Sequence, residues 1–265
     1  MGDTLPTQRP SRAPQTGRMH PSRTIGVDLA AEPAGTALAV VEWTDAGAHL
    51  IELQLGVDDT AIVAASDSGA RIGIDCAFGW PDDFVDFVQA HADGGQPELE
   101  VDGGKAWRSR LAYRETDRLT RERTGRWPLS VATDRLGVTA LRCAGLLRRL
   151  GEAGVDVDRS GGGGIAEVYP GGALRLWGFD TRGYRVDAQA RAVLFDALTA
   201  SARRLDLGEH RDLMIRSADA FDAVIAALAT RAAVLGRYRA PAPGEQLARA
   251  RREEGSCCRS AAWTT

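Results

Sequence analysis

An α/β fold, with one mixed five-stranded sheet, helices on both faces and a helical insertion, is predicted by three observations. Apolar runs joined by turn signals open the ordered part of the chain, and later apolar runs alternate with helical segments. The length, 265 residues, suffices for one packed domain or for a domain that carries an insertion. Strands joined by hairpins pair antiparallel, whereas strands joined through helices pair parallel. The combination gives a mixed sheet with helices covering it.

Taken in order, Met1 to Ser22 mix Pro, Arg, Thr and Gln with little to bury, and residues 1–22 read as a disordered arm or a wrongly assigned start. Thr24 to Ala30, Thr36 to Trp43 and Ala48 to Leu55 read as strands, with Asp45-Ala46-Gly47 as the turn between the last two. Asp58 to Ser66 is a short helix capped by Asp58 or Asp59, and Arg71 to Cys76 is the fourth strand. Gly79-Trp80-Pro81 closes it before a helix from Asp82 to about His91. Asp93 to Gly104 is a Gly- and Pro-containing loop, followed by helices over Trp107–Thr124 and Thr133–Leu150. The Gly161–Gly164 run is a flexible tip before a fifth strand, Ile165 to Tyr169, which Pro170 ends. Helices over Asp187–Leu205 and Ser217–Leu235 complete the domain, and residues 240–265 are expected to be a loosely structured tail. The order βββαβ, a helical insertion over about 82–160, then βα and further helices is the topology of the ribonuclease H-like fold, here assigned to residues 23–239.

Composition excludes some classes. A formal charge of −3 gives no global attraction to nucleic acid or to acidic membranes. Arginines crowd one stretch, from Arg108 to Arg126, but Lys105 is the only lysine, so Arg abundance alone is weak evidence of phosphate binding. Cys76, Cys143, Cys257 and Cys258 form neither a C-x-x-C pair nor a disulfide framework, which fits a reducing, cytoplasmic setting. No apolar run approaches the roughly 18 residues that span a bilayer, and the N-terminus has no apolar core of a secretory signal.

The acidic residues carry the chemistry. Gly26-Val27-Asp28 and Gly73-Ile74-Asp75 are the same figure, each closing an apolar run. Gly26 and Asp28 share one face of the first strand, and Gly73 and Asp75 one face of the fourth. If those strands are parallel neighbours, two carboxylates stand side by side. They repel unless one is protonated or a cation lies between them. On the last helix Asp219 and Asp222 are three apart and share a face that Ala223, Ala226, Ala229 and Ala233 continue. Phe221, Val224, Ile225 and Leu228 take the other side, so the helix is apolar nearly all round and is expected to be buried, with Ser217 as its cap. Each acid also has a structural reading: Asp219 with the helix dipole, Asp28 in a turn, Asp75 as a cap. All of them being structural together is the weaker reading.

Gly26-Val27-Asp28-Leu29-Ala30, Ile74-Asp75-Cys76-Ala77-Phe78-Gly79-Trp80-Pro81, Glu167-Val168-Tyr169-Pro170 and Asp219-Ala220-Phe221-Asp222-Ala223 occur in that order. Together they resemble the domain of unknown function 429 family of predicted nucleases, over roughly Thr24 to Arg239. The Asp219–Ala223 helix also looks like that of the Holliday-junction resolvases, in which two such acids join a first-strand Asp at the metals. The chain departs from the family pattern at Glu254-Gly255-Ser256-Cys257-Cys258, where a Glu-Gly-Trp-Ile-like segment is common, as an altered or frameshifted terminus would.

The expected function is a metal-dependent nuclease. Carboxylates and water suit Mg²⁺ or Mn²⁺, and two ions about 4 Å apart can activate water and stabilise the leaving oxygen in phosphodiester hydrolysis. Asp28 is expected to bridge, Asp75 and Asp222 each to bind one metal, and Asp219 to assist. Glu167 is a further candidate for the catalytic set. Arg114 and Arg118, on the inserted helix, are candidates to approach a nucleic-acid backbone, and otherwise form a salt-bridged solvent face. The four histidines are scattered, and Gly161–Gly164 lacks the Lys-Ser/Thr of a P-loop. Trp107, Trp127 and Trp177 read as packing residues, with base stacking as the alternative. Two other functions compete: a non-catalytic module that keeps the fold and binds a partner, and an actin-like ATP-binding protein. The latter requires a second domain for which the chain has no room.

Overall fold

The computed structural model describes residues 21–66, 69–95, 103–159, 162–238 and 241–254. All but the last two residues of the expected N-terminal arm, most of the loop expected over 93–104, Gly161 and the end of the expected tail lie outside these residues.

Among the described residues six strands form one sheet: β1 (Arg23–Asp28), β2 (Ala37–Trp43), β3 (Ala48–Leu55), β4 (Arg71–Asp75), β5 (Ile165–Glu167) and β6 (Leu205–Asp206). Their order is β5-β4-β1-β2-β3-β6. β1, β2 and β3 pair antiparallel as consecutive hairpins, whereas β4 adds parallel to β1, β5 parallel to β4, and β6 parallel to β3. The sheet is therefore mixed, as expected, but has six strands rather than five. The extra strand is two residues long and falls where the sequence reads as the end of a helix, too short for any alternation to reveal it.

Ten α-helices surround the sheet among the described residues: α1 (Asp59–Ser66), α2 (Asp82–Ala92), α3 (Lys105–Ala112), α4 (Glu115–Thr124), α5 (Leu136–Glu152), α6 (Pro170–Leu176), α7 (Ala188–Ser201), α8 (Arg211–Arg216), α9 (Ala218–Val234) and α10 (Glu245–Glu254). α2 to α5 stand between β4 and β5. The single helix expected over Trp107–Thr124 is broken at Tyr113, which is extended, and Asp117 restarts the helix by accepting the Arg114 N–H at 3.0 Å. Pro170 does more than end β5: it opens α6, where its missing N–H is no loss. The tail expected to be loose contains α10, because Glu253 is buried against the starts of two other helices.

Each face of the sheet has its own core. Ile25, Val27, Ile72 and Ile74 pack against Ile62 of α1 and Leu146 and Leu150 of α5. Ala37, Ala39 and Val41 pack with α9 and with α6 to α8 on the other face. Small residues bring α9 close to the sheet. A Cβ at Gly26 would run into the Ala223 carbonyl and the Ala227 amide, and one at Gly73 into the Thr230 hydroxyl. Thr24 Oγ1 donates to the Ala227 carbonyl at 2.9 Å, a further tie between β1 and α9. No described helix is long and apolar enough to cross a membrane.

Candidate metal centre

Parallel pairing of β1 with β4 sets Gly26 opposite Gly73 and Asp28 opposite Asp75. The two matching figures are thus in register, and both aspartates end their strands on the face that α9 covers. Ser217 caps α9 by accepting the Ala220 N–H at 3.1 Å. The glycines let the middle turns of that helix, from Ala223 to Thr230, settle on the two strands. Asp222 is carried to the same place with no exposed surface. One carboxylate oxygen from each of Asp28, Asp75 and Asp222 lies within 4.8 Å of the others.

The loop between α6 and α7 supplies two neighbours. Tyr184 donates its hydroxyl to Asp222 Oδ1 at 2.9 Å. Arg185 Nη1 approaches Asp222 Oδ2 at 3.0 Å, and Nη2 lies 4.0 Å from Asp28 Oδ2. The Nη1 approach is an ion pair off the hydrogen-bond axis, so the buried Oδ2 of Asp222 has no hydrogen-bond donor among the described residues. Buried Arg191 of α7 holds the loop, donating to the carbonyls of Tyr184 at 2.7 Å, Ile215 at 2.7 Å and Arg216 at 3.1 Å.

Three carboxylates in so small a volume resist ionisation. Burial first, then the charges of Asp75 and Asp222, push Asp28 well above the usual carboxylate range, with Arg185 opposing. Burial and Asp222 raise Asp75 to about 7, against the opposing effects of Arg185 and a hydrogen bond with Asp28. Burial raises Asp222 to about 6, although Arg185 and the Tyr184 hydroxyl both lower it. One guanidinium cannot balance three carboxylates. The donor set, all hard oxygen with one buried oxygen lacking a donor, fits a metal ion. The cluster can hold one.

The other expected site residues are placed differently. Asp219, one turn earlier on α9, lies outside this group of converging oxygens. Its charge nevertheless raises both Asp28 and Asp222. Glu167, the register partner of Ile74 beside Asp75, lies outside the converging oxygens although its charge raises Asp75. It accepts from Arg114 Nη2 at 2.9 Å through Oε1, and from Arg114 Nη1 and the Phe78 N–H, each at 3.0 Å, through Oε2. Arg114 is buried as well and binds Asp117 Oδ1 at 3.0 Å, so it faces carboxylates rather than a nucleic-acid backbone. Arg118 pairs with Glu115 at 3.6 Å, as on a salt-bridged face. Trp127 stacks on Tyr113 with ring centres 4.0 Å apart. Sequence reasoning missed Tyr184 and Arg185, which lie in an aperiodic loop and approach Asp222 only through the tertiary fold.

A family model described as "Protein of unknown function (DUF429)" matches residues 26–246. No curated protein and no solved structure matches the chain.

Proposed function

Since the chain belongs to the DUF429 family, whose model spans its sheet and the acidic cluster, we propose that it is a divalent-metal-dependent nuclease of ribonuclease H-like fold. One observation carries the reading: Asp28 and Asp75 are register partners on adjacent parallel strands, and buried Asp222 converges on them from a helix. The strand order β5-β4-β1-β2-β3, with β6 added at its edge, supports the fold assignment.

The residues present suit Mg²⁺ or Mn²⁺, held by Asp28, Asp75 and Asp222 with Asp219 nearby. The chemistry such ions supply is a nucleophilic water at neutral pH and stabilisation of charge on a transferring phosphoryl group. Asp28 and Asp75 present their carboxylates from rigid strand ends, which fixes direction as well as distance. Tyr184 fixes the rotamer of Asp222 through its hydroxyl. Arg185, with its side chain half exposed, is placed to turn from the carboxylates toward a phosphate oxygen. Hydrolysis of a phosphodiester of DNA or RNA is the reaction this arrangement suits. The competing binding-module reading has two signs, acids too far apart to share a cation or a pocket closed over them. The oxygens lie within 4.8 Å, against the first, whereas Asp28 and Asp222 are buried, which leaves the second standing.

The test is cleavage of labelled single-stranded, duplex and branched DNA and RNA in Mn²⁺, Mg²⁺ or EDTA, with wild type beside Asp28→Asn. Cutting that needs metal and is lost in the variant supports the reading and names the substrate. A folded wild type that cuts nothing and binds no Mn²⁺ removes it.

A further inference from the structure

At the opposite end of the sheet from the acids, a cavity of about 600 Å³ opens beside β2, β3 and β6. That volume lies within the range of small-molecule sites. Trp43, Leu205 and Leu228 supply apolar wall, and Arg203, Arg204 and Arg231 also line it, against one acid, Asp45. Along α9 the nine steps from Asp222 to Arg231 put roughly 13 Å of helix between this cavity and the acidic cluster.

The walls are built rather than incidental. Trp43 is pinned by its indole N–H, which donates to Thr24 Oγ1 at 2.9 Å. Arg231 lies over its ring, 5.1 Å from the centre, and donates to the Pro21 carbonyl at 2.9 Å. The turn bearing Arg203 and Arg204 is fixed through its backbone, since the Ala48 N–H donates to the Arg204 carbonyl at 2.8 Å. A Cβ at Gly47 would strike that same carbonyl, so the glycine permits the close approach. None of the three arginines has a carboxylate partner among the described residues, whereas Arg23, Arg142 and Arg249 each do. Burial lowers Arg231 from its ordinary value with no acid to offset it.

Apolar wall with three guanidiniums that no described carboxylate pairs, against the single acid Asp45, selects one ligand chemistry. We propose that this cavity binds a small organic anion, an apolar or aromatic body carrying a carboxylate or phosphate head group. The body lies against Trp43 and Leu228, and the head group meets Arg203 and Arg204 at the rim, with Arg231 between them. The site is separate from the acidic cluster and does not depend on the nuclease reading.

The test uses two fluorescent probes of the same shape on the full-length protein. One is the anion 8-anilinonaphthalene-1-sulfonate and the other is neutral N-phenyl-1-naphthylamine. The expected result is one saturable site that takes the anion about tenfold or more tighter than the neutral probe. In an Arg203→Gln/Arg204→Gln double variant that preference disappears while neutral binding is kept. Asp28→Asn leaves both affinities unchanged. Displacement of the sulfonate by 2-naphthoate or by 2-naphthyl phosphate then tells which head group the site prefers. Equal affinity for the two probes overturns the proposal, as does an anion preference that survives the double variant, or displacement by neither naphthyl anion. Should the double variant misfold, the wild-type comparison of the two probes still decides.

Discussion

Arg185 places Nη1 3.0 Å from Asp222 Oδ2 and Nη2 4.0 Å from Asp28 Oδ2, so one guanidinium spans two of the three clustered carboxylates. It is the charge that a bound divalent cation would have to displace or repel. Arg185→Gln is therefore expected to tighten Mn²⁺ binding by about tenfold or more at pH 8, above the values to which Asp75 and Asp222 are raised. Isothermal titration of wild type and variant reads this directly. Unchanged or weaker binding contradicts the competition.

Stability of the metal-free protein is expected to depend on pH with an unusual sign. Asp28, Asp75 and Asp222 are all raised in the folded state, Asp75 to about 7 and Asp222 to about 6. Between the unfolded carboxylate value near 4 and these folded values, the folded protein binds more protons than the unfolded chain, so stability falls as pH rises. The unfolding free energy from urea titrations in EDTA should drop from pH 5 to pH 8 by an amount on the order of 4 kcal/mol, with a lower midpoint, and Mn²⁺ should restore most of the loss at pH 8. A midpoint that is flat or rises over this window contradicts the assignment.

Much of the cluster was legible in the sequence because strands translate sequence into position simply. Two Gly-x-Asp figures on neighbouring parallel strands fall in register, and the i, i+3 spacing in an apolar helix marks Asp222 as buried. The helix that bears it was delimited to within a residue at each end, with its cap. The exceptions share a cause. Glu167 carries the same charge as the aspartates and neighbours Asp75, and only the tertiary approach of Arg114 and the Phe78 amide engages its oxygens. Tyr184 and Arg185 sit in a loop without period, so nothing local aims them at Asp222. β6 has two residues, below the length at which alternation is visible.

The glycines under α9 set a steric limit. Gly26→Ala and Gly73→Ala each put a methyl group into α9, which meets backbone at Gly26 and the Thr230 hydroxyl, itself bonded to the Ala226 carbonyl, at Gly73. Each is expected to cost about 3 kcal/mol, because the helix must lift from the sheet. Chemical denaturation measures the cost, and a loss under about 0.5 kcal/mol contradicts the tight contact.

Arg191 orders the loop that reaches the cluster. Arg191→Met removes donors from three carbonyls and should destabilise the protein by about 3 kcal/mol. Because the loop also carries Arg185, the variant should bind Mn²⁺ at least as tightly as wild type while melting lower. A melting temperature equal to wild type would show that the loop is held by other contacts.

Glu253 of α10 accepts the Glu115 N–H at 2.5 Å and the Asp82 N–H at 3.3 Å, joining the starts of α4 and α2. Arg249 donates to it at 2.9 Å from the same helix. Glu253→Ala should cost about 2–3 kcal/mol by uncapping two helices at once. It should also raise amide exchange over residues 82–92 and 115–124 before the sheet is affected. Exchange unchanged in both helices would contradict a capping role for α10.

Asp28, Asp75 and Asp222 are proposed to hold a divalent metal ion jointly. The most direct measurement is anomalous scattering from crystals grown with Mn²⁺, collected for wild type and for Asp75→Asn. The expected result is a manganese peak ligated by all three carboxylates in wild type, with Arg185 displaced from Asp222, and its loss or weakening in the variant. No peak among these carboxylates, with Arg185 still paired to Asp222, would contradict it.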